Sequence, residues 1–70
     1  MNAVTVPSKT APYDSERYFE GQSVQKIGGD YTFQGTIVAI FYKRSGQVRC
    51  VVENREGILH IFNLNQLAPV

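Results

Sequence analysis

The chain has few of the residues from which single-chain active sites are usually built. It contains one cysteine, Cys50, and one histidine, His60, in 70 residues. One cysteine excludes an internal disulfide, and one histidine with one cysteine falls short of a metal-ligand cluster. No serine stands in a nucleophile-and-base arrangement, which makes conventional catalysis within one chain improbable. The valines around Cys50 predict a small buried side chain rather than a redox centre.

Strong charge of one sign and long apolar segments are also missing. The formal net charge is +1, whereas a dedicated nucleic-acid binder relies on many Lys and Arg contacts to phosphate. No apolar run has the length of a signal peptide or of a membrane-spanning helix. We therefore expect a cytoplasmic protein that does not enter a membrane.

The length of the chain limits what one protomer can do. A core of this size contributes only roughly 3–5 kcal/mol, so small domains often gain stability by oligomerising. An enzyme pocket of ordinary size is difficult to form within one such domain. If the protein is an enzyme, we expect its site to be shared between subunits.

Residues 1–20 differ in pattern from the rest. The first twelve contain two prolines, small polar residues and no usable periodicity, which predicts a flexible arm. Three aromatic residues interrupt this pattern, and we expect one of them to dock on the domain formed by residues 21–70, with Gly21 as the joint. They are Tyr13, Tyr18 and Phe19.

Residues 21–70 carry β-strand signals at close spacing. The predicted strands are residues 23–27, 31–42, 47–53, 58–62 and 67–70. Turn residues separate the first four, at 28–30, 43–46 and 54–57, and residues 63–66 suit one turn of 3₁₀ helix. The second segment is too long for one flat strand, and Gly35 is a natural place for a bulge or bend. The pattern predicts an all-β fold, a small five-stranded SH3-like barrel.

The strand over residues 58–62 contains the most informative side chains. Alternation places Leu59 and Ile61 on one face and Ile58, His60 and Phe62 on the other. We assign Leu59 and Ile61 to the core, which leaves an exposed Ile-His-Phe row. Such a row is more apolar than solvent exposure favours, and it indicates a contact surface. His60 is then either an ordinary surface histidine or part of a cavity shared by several copies.

Three segments resemble a known family. They read Gln-Gly-Thr-Ile-Val (34–38), Val-Glu (52–53) and Gly-Ile-Leu-His-Ile-Phe (57–62), and they are similar to Gln-Gly-x-Ile-Val, Val-Glu and Gly-Ser-Val-Gln-Ile-Tyr of the plasmid-borne type II (type B) dihydrofolate reductases. The likeness covers about residues 21–67. It implies an SH3-like barrel that assembles as a homotetramer, reduces dihydrofolate with NADPH in one central pore and is poorly inhibited by trimethoprim.

The resemblance also implies which residues form the site. His60 stands at the family's pore glutamine, Ile61 at its isoleucine and Phe62 at its tyrosine, and these three are the expected catalytic positions. Leu59 stands at a valine and Lys26 at the pore-edge lysine, which adds both to the substrate- and cofactor-binding set. Hydride transfer needs no protein nucleophile, only two rings held at short range. Four copies of Lys26 would give the pore mouths a positive field.

A second hypothesis is a non-enzymatic SH3-like module that binds nucleic acid or a protein partner, because fold alone does not decide function. Four cations lie on or near the predicted hairpin tips, with Phe41 and Tyr42 beside them, and basic and aromatic residues together are a plausible nucleic-acid face. They are Lys43, Arg44, Arg49 and Arg55. Salt-sensitive binding to single strands by a monomer would favour this hypothesis.

Overall fold

Residues 17–70 are described by a computed structural model. Their elements are β1 (Ser23–Lys26), β2 (Gln34–Tyr42), β3 (Val48–Glu53), β4 (Leu59–Asn63), a 3₁₀ turn (Leu64–Gln66) and β5 (Leu67–Pro69). The prediction of an all-β fold with five strands is confirmed, as is the 3₁₀ turn before the last strand. None of the described segments is a helix of the length and apolarity needed to cross a membrane.

All five strands belong to one antiparallel sheet, in the order β4-β3-β2-β1-β5. Strands β2, β3 and β4 follow one another through hairpin turns, and the 3₁₀ turn carries the chain across to place β5 beside β1. The two edges of this sheet, β4 and β5, are not paired with each other among residues 17–70. Closure into a barrel is therefore not confirmed and stays a prediction.

Strand β2 changes neighbours along its length. One edge of β2 pairs with β1, from Gln34 to Thr36. The other edge pairs with β3, from Thr36 to Tyr42. The register shifts between Ile37 and Ala39, so the extra residue of the bulge is Val38. The irregularity was expected at Gly35 instead, and a bulge increases the local twist that a long bent strand requires.

Gly35 has a different structural reason to be glycine. A Cβ at this position would lie 2.7 Å from the carbonyl carbon of Glu53 and closer still to its oxygen. The backbone of β2 thus passes against the end of β3 with no room for a side chain. Glycine within a strand commonly marks either a bulge or a close approach of another backbone, and Gly35 has the second of these roles.

The core consists of one side chain or two from each strand. The fully buried members are Val24, Ile37, Cys50, Val52 and Phe62, and Tyr18 and Leu67 complete the cluster. Burial raises the pKa of the Cys50 thiol, an effect that the positive charge of Arg49 partly opposes. Burial of Cys50 was predicted and is confirmed.

Tyr18 is the aromatic residue that docks on the sheet. It is buried, and its hydroxyl donates a hydrogen bond to the Leu67 carbonyl at 3.4 Å. Gly21 follows at positive φ and donates its N–H to the Ile37 carbonyl, which fits the joint expected there. Phe19 is exposed, and Tyr13, like the rest of the predicted arm up to residue 16, lies outside the described residues.

The close approach at Gly35 can be tested by substitution. Gly35→Ala should destabilise the fold by about 1–3 kcal/mol, because the added methyl group forces two backbones apart. Chemical denaturation followed by circular dichroism measures this change. Gln34→Ala, at the neighbouring exposed position of β2, is the matched control and should stay within about 0.5 kcal/mol of the original chain. Equal stability of the two variants would contradict the close approach.

Candidate functional site

The two faces of β4 are the reverse of the sequence prediction. Phe62 is 2% exposed and belongs to the core, whereas Leu59 is 58% and Ile61 53% exposed. His60 is half-buried, on the same side as Phe62. Ile58 is exposed as expected, but the predicted exposed Ile-His-Phe row does not exist.

The register of β3 against β4 explains this reversal. Cys50 pairs with Phe62 and Val52 pairs with His60. Directly opposed residues of antiparallel strands point to the same face, and Cys50 and Val52 are fully buried. The β4 residues opposite them must therefore point inward. Leu59 and Ile61 oppose Glu53 and Val51 on the outer face.

The His60 ring sits in a cluster of aromatic side chains, which we call the His60 cluster (Lys26, Tyr31, Phe33, His60). His60 stacks on Phe33 with the ring centroids 4.3 Å apart and the planes at 7°. Tyr31 meets the imidazole edge-on at 6.2 Å, and Phe62 lies beneath at 5.7 Å. Within residues 17–70 neither imidazole nitrogen forms a hydrogen bond. Among the described residues, aromatic contacts alone hold the ring.

Lys26 joins this cluster through Tyr31. Its Nζ lies 4.2 Å from the centre of the Tyr31 ring and donates hydrogen bonds to the carbonyls of Gly28 and Tyr31. The ammonium group is therefore held beside the turn after β1 and over the Tyr31 ring, which itself meets His60 edge-on. The structure thus brings Lys26 and His60, distant in sequence, into one local cluster.

Sequence reasoning did not assign Tyr31 or Phe33 to this site. The register of β1 against β2 places both of them there. Val24 pairs with Gly35 and Gln25 with Gln34, so the next position places Phe33 opposite Lys26, where the Lys26 N–H donates to the Phe33 carbonyl at 2.7 Å. Tyr31 then belongs to the turn that closes this pair.

The opposite side of β2, β3 and β4 forms a second surface, which we call the outer face. Cross-strand pairing arranges it in rows: Phe41, Arg49 and Asn63; then Ala39, Val51 and Ile61; then Thr36, Glu53 and Leu59. Four of its large apolar side chains, counting Val38 at the bulge, are at least 37% exposed. This is the largest concentration of exposed apolar groups on adjacent strands of the described sheet, and such patches mark contact surfaces.

An open cleft lies at one end of β2 and β3. It has a volume of about 580 Å³ and is lined by parts of two segments that carried the family resemblance, Gln34–Thr36 and Glu53, together with Ser23, Asn54 and Arg55. None of the predicted site residues lines it. The cleft and the predicted site residues therefore lie at different places on the protomer.

The hairpin cations do not form one patch. Lys43 and Arg44 lie at the turn between β2 and β3, whereas Arg55 lies at the turn between β3 and β4. Arg49 extends across the outer face, where its Nη2 donates to the Ile61 carbonyl at 3.4 Å. Arg49 is also the cross-strand partner of Phe41. Three of the four cations therefore lie near Phe41 and Tyr42, and Arg55 lies apart.

In comparisons with known proteins, no family model, no curated protein and no solved structure matches this chain. Membership of the type II dihydrofolate reductases therefore stays a proposal, supported by the residues quoted above.

The reversed faces of β4 lead to a direct prediction for stability. Phe62→Ala should cost about 3–5 kcal/mol, as truncation of a buried phenylalanine does, and in so small a domain this loss would largely unfold the chain. Ile61→Ala, one position away and half-exposed, should cost less than about 1 kcal/mol and serves as the control. Thermal unfolding followed by circular dichroism compares the two. A larger loss of stability for Ile61→Ala than for Phe62→Ala would contradict these faces of β4 and support the core assignment of Ile61 expected from the sequence.

Proposed function

We propose that the protein is an NADPH-dependent dihydrofolate reductase of the type II family, active as a homotetramer. The observation that carries this proposal is the His60 cluster. It presents a half-buried imidazole, with no hydrogen bond to either nitrogen within residues 17–70, and a lysine ammonium that is linked to this ring through Tyr31. Both residues stand at positions where the family has ligand-contacting side chains.

The chemistry of these groups suits the two ligands. An imidazole N–H can donate to the carboxamide of a nicotinamide or to the edge of a pterin, as the family's glutamine amide would. The Lys26 ammonium supplies positive charge for the phosphates of NADPH and for the glutamate tail of dihydrofolate. NADPH supplies the hydride when bound. The contribution of the chain is to orient two flat rings, a task that requires no nucleophile.

Stacking on Phe33 gives His60 a fixed orientation before a ligand arrives. A parallel pair of rings at 4.3 Å contributes about 0.5–1.5 kcal/mol beyond its burial. A preorganised donor loses little conformational freedom on binding. Phe62, which the resemblance placed among the catalytic positions, has a different role in this proposal. It is buried under His60 and supports the ring, so it does not touch the ligands.

The contacts of Leu59 and Ile61 with ligands depend on assembly. Both side chains are more than half exposed, and β4 is an edge strand whose outer backbone groups have no partner within the described sheet. The Ile61 carbonyl already accepts a hydrogen bond from Arg49. We therefore assign to Ile61 a backbone contact to the ligand amide, made at a pore edge where copies of β4 approach one another.

The alternative of a nucleic-acid module has less support. A stacking platform needs cations and aromatic rings along one groove, and the four hairpin cations are divided among two turns and the outer face. Three cations near Phe41 and Tyr42 are few for binding to a nucleic-acid backbone, which weakens steeply with salt. The reductase proposal uses a cluster that the fold does bring together.

Steady-state kinetics on the purified protein tests the function. We expect NADPH oxidation that requires dihydrofolate and persists when trimethoprim is present. His60→Ala should lower kcat/KM by about tenfold or more, since one hydrogen bond to a ligand is worth about 1.5 kcal/mol. His60→Gln restores the family's amide and should keep the activity within a few-fold.

Arg44→Gln, at the first hairpin turn and away from the His60 cluster, is the control and should leave kcat/KM unchanged. The proposed function would be overturned if the purified tetramer oxidised no NADPH with dihydrofolate and bacteria that produce the protein did not grow under trimethoprim.

A further inference from the structure

The outer face carries opposite charges at its two ends. Arg49 and Glu53 lie on the same side of β3, four residues apart, with Val51 midway between them. At about 3.3 Å per residue their Cα atoms are about 13 Å apart. One end of the face is thus positive, the other end is negative, and the row between them is Ala39, Val51 and Ile61, which carries no charge.

Neither charge is compensated among residues 17–70. Arg49 forms one hydrogen bond, to the Ile61 carbonyl at 3.4 Å, and its Nε is buried without an acceptor. No ion pair to Arg49 or to Glu53 occurs among residues 17–70. A buried donor without a partner and a half-buried guanidinium without a carboxylate both cost free energy. The carboxylate of Glu53 is exposed on the same face.

We propose that the outer face binds the outer face of a second copy of this chain through a two-fold axis that passes between the Val51 side chains and runs across the strands. This rotation turns the copies face to face with their β3 strands antiparallel. It places Arg49 of each copy over Glu53 of the other, so that two ion pairs flank an apolar centre. A two-fold interface must be self-complementary in this way.

The dimensions agree with this arrangement. Two sheets packed face to face are about 10 Å apart, a gap that an arginine and a glutamate side chain reach across from opposite sides. The apolar side chains covered include Val51, Ile61 and Leu59, and the last two have the highest exposed fractions of the large apolar side chains within the described strands. Apolar contact in the centre and ion pairs at the rim is the usual anatomy of a stable interface.

This dimer is independent of the reductase proposal, because it depends only on the geometry of the sheet. It adds to that proposal by naming one of the contacts from which a tetramer would be built. It also leaves the His60 cluster uncovered, since His60 points to the other face of β4.

A charge-reversal cycle measured by native mass spectrometry tests the dimer. The original chain, of 7.9 kDa, should have at least twice this mass at low salt. Arg49→Glu opposes two carboxylates across each contact and should halve the observed mass, and Glu53→Arg should do the same through two opposed cations. The double variant Arg49→Glu with Glu53→Arg restores opposite charges in reversed order and should recover the original mass.

Arg44→Glu makes the same change of charge at a hairpin turn away from this face and should leave the mass unchanged. Circular dichroism of each variant identifies any loss of fold, and the recovery in the double variant cannot arise from unfolding. A monomeric original chain would overturn the proposal, as would single variants that keep the original mass or a double variant that stays at half of it. Because mass and NADPH oxidation are separate readouts, an assembled but inactive protein contradicts only the reductase.

Discussion

Asn54 fixes which side chains of β4 face the core, and most of the molecule's surface depends on this assignment. Its N–H donates to the Ile58 carbonyl at 3.0 Å, and its Oδ1 accepts from the N–H groups of Glu56 and Ile58 at 3.0 and 2.9 Å. Gly57, at a φ of 83°, provides the left-handed conformation that closes the loop. Residues 54 and 58 thus lie opposite each other, and this pairing sets the register of all the cross-strand pairs between β3 and β4.

A shift of one residue would exchange the two faces of β4, because side chains alternate along a strand. With the observed register, Phe62 fills the core and His60 stacks on Phe33, while Leu59 and Ile61 enter the outer face. The same short strand therefore contributes to two surfaces of different chemistry. One carries the His60 imidazole within its aromatic cluster, and the other carries apolar side chains between opposite charges. A ligand site and a subunit contact can coexist in so small a chain because they use opposite faces.

The strands and turns were largely readable from the sequence, since β-branched runs and glycine-containing turns alternate clearly in residues 21–70. The faces of β4 were not, because Leu59, Ile61 and Phe62 are all apolar and alternation alone cannot say which of them is inside. Counting across the turn would have resolved this. A loop of residues 55–57 opposes Glu53 to Leu59 and Cys50 to Phe62, and the phase of Cys50 was already assigned correctly.

The candidate site was predictable only in part, for a similar reason. The resemblance named Lys26 and His60, but their proximity depends on Tyr31 and Phe33, which come from the connection between β1 and β2. The bulge at Val38 also has no clear sequence signal, because β-branched valine is common in regular strands. Close contacts across turns and between non-adjacent strands are set by register, which a strand pattern does not specify.

Nuclear Overhauser effects in solution test the register of β4 most directly. The account predicts contacts between the side chains of Phe62 and Cys50, and between the ring protons of His60 and Phe33. It also predicts that the Ile61 methyl groups contact Val51 and not Cys50 or Val52. Contacts from Ile61 to Cys50 and Val52, with none from Phe62 to Cys50, would contradict the account.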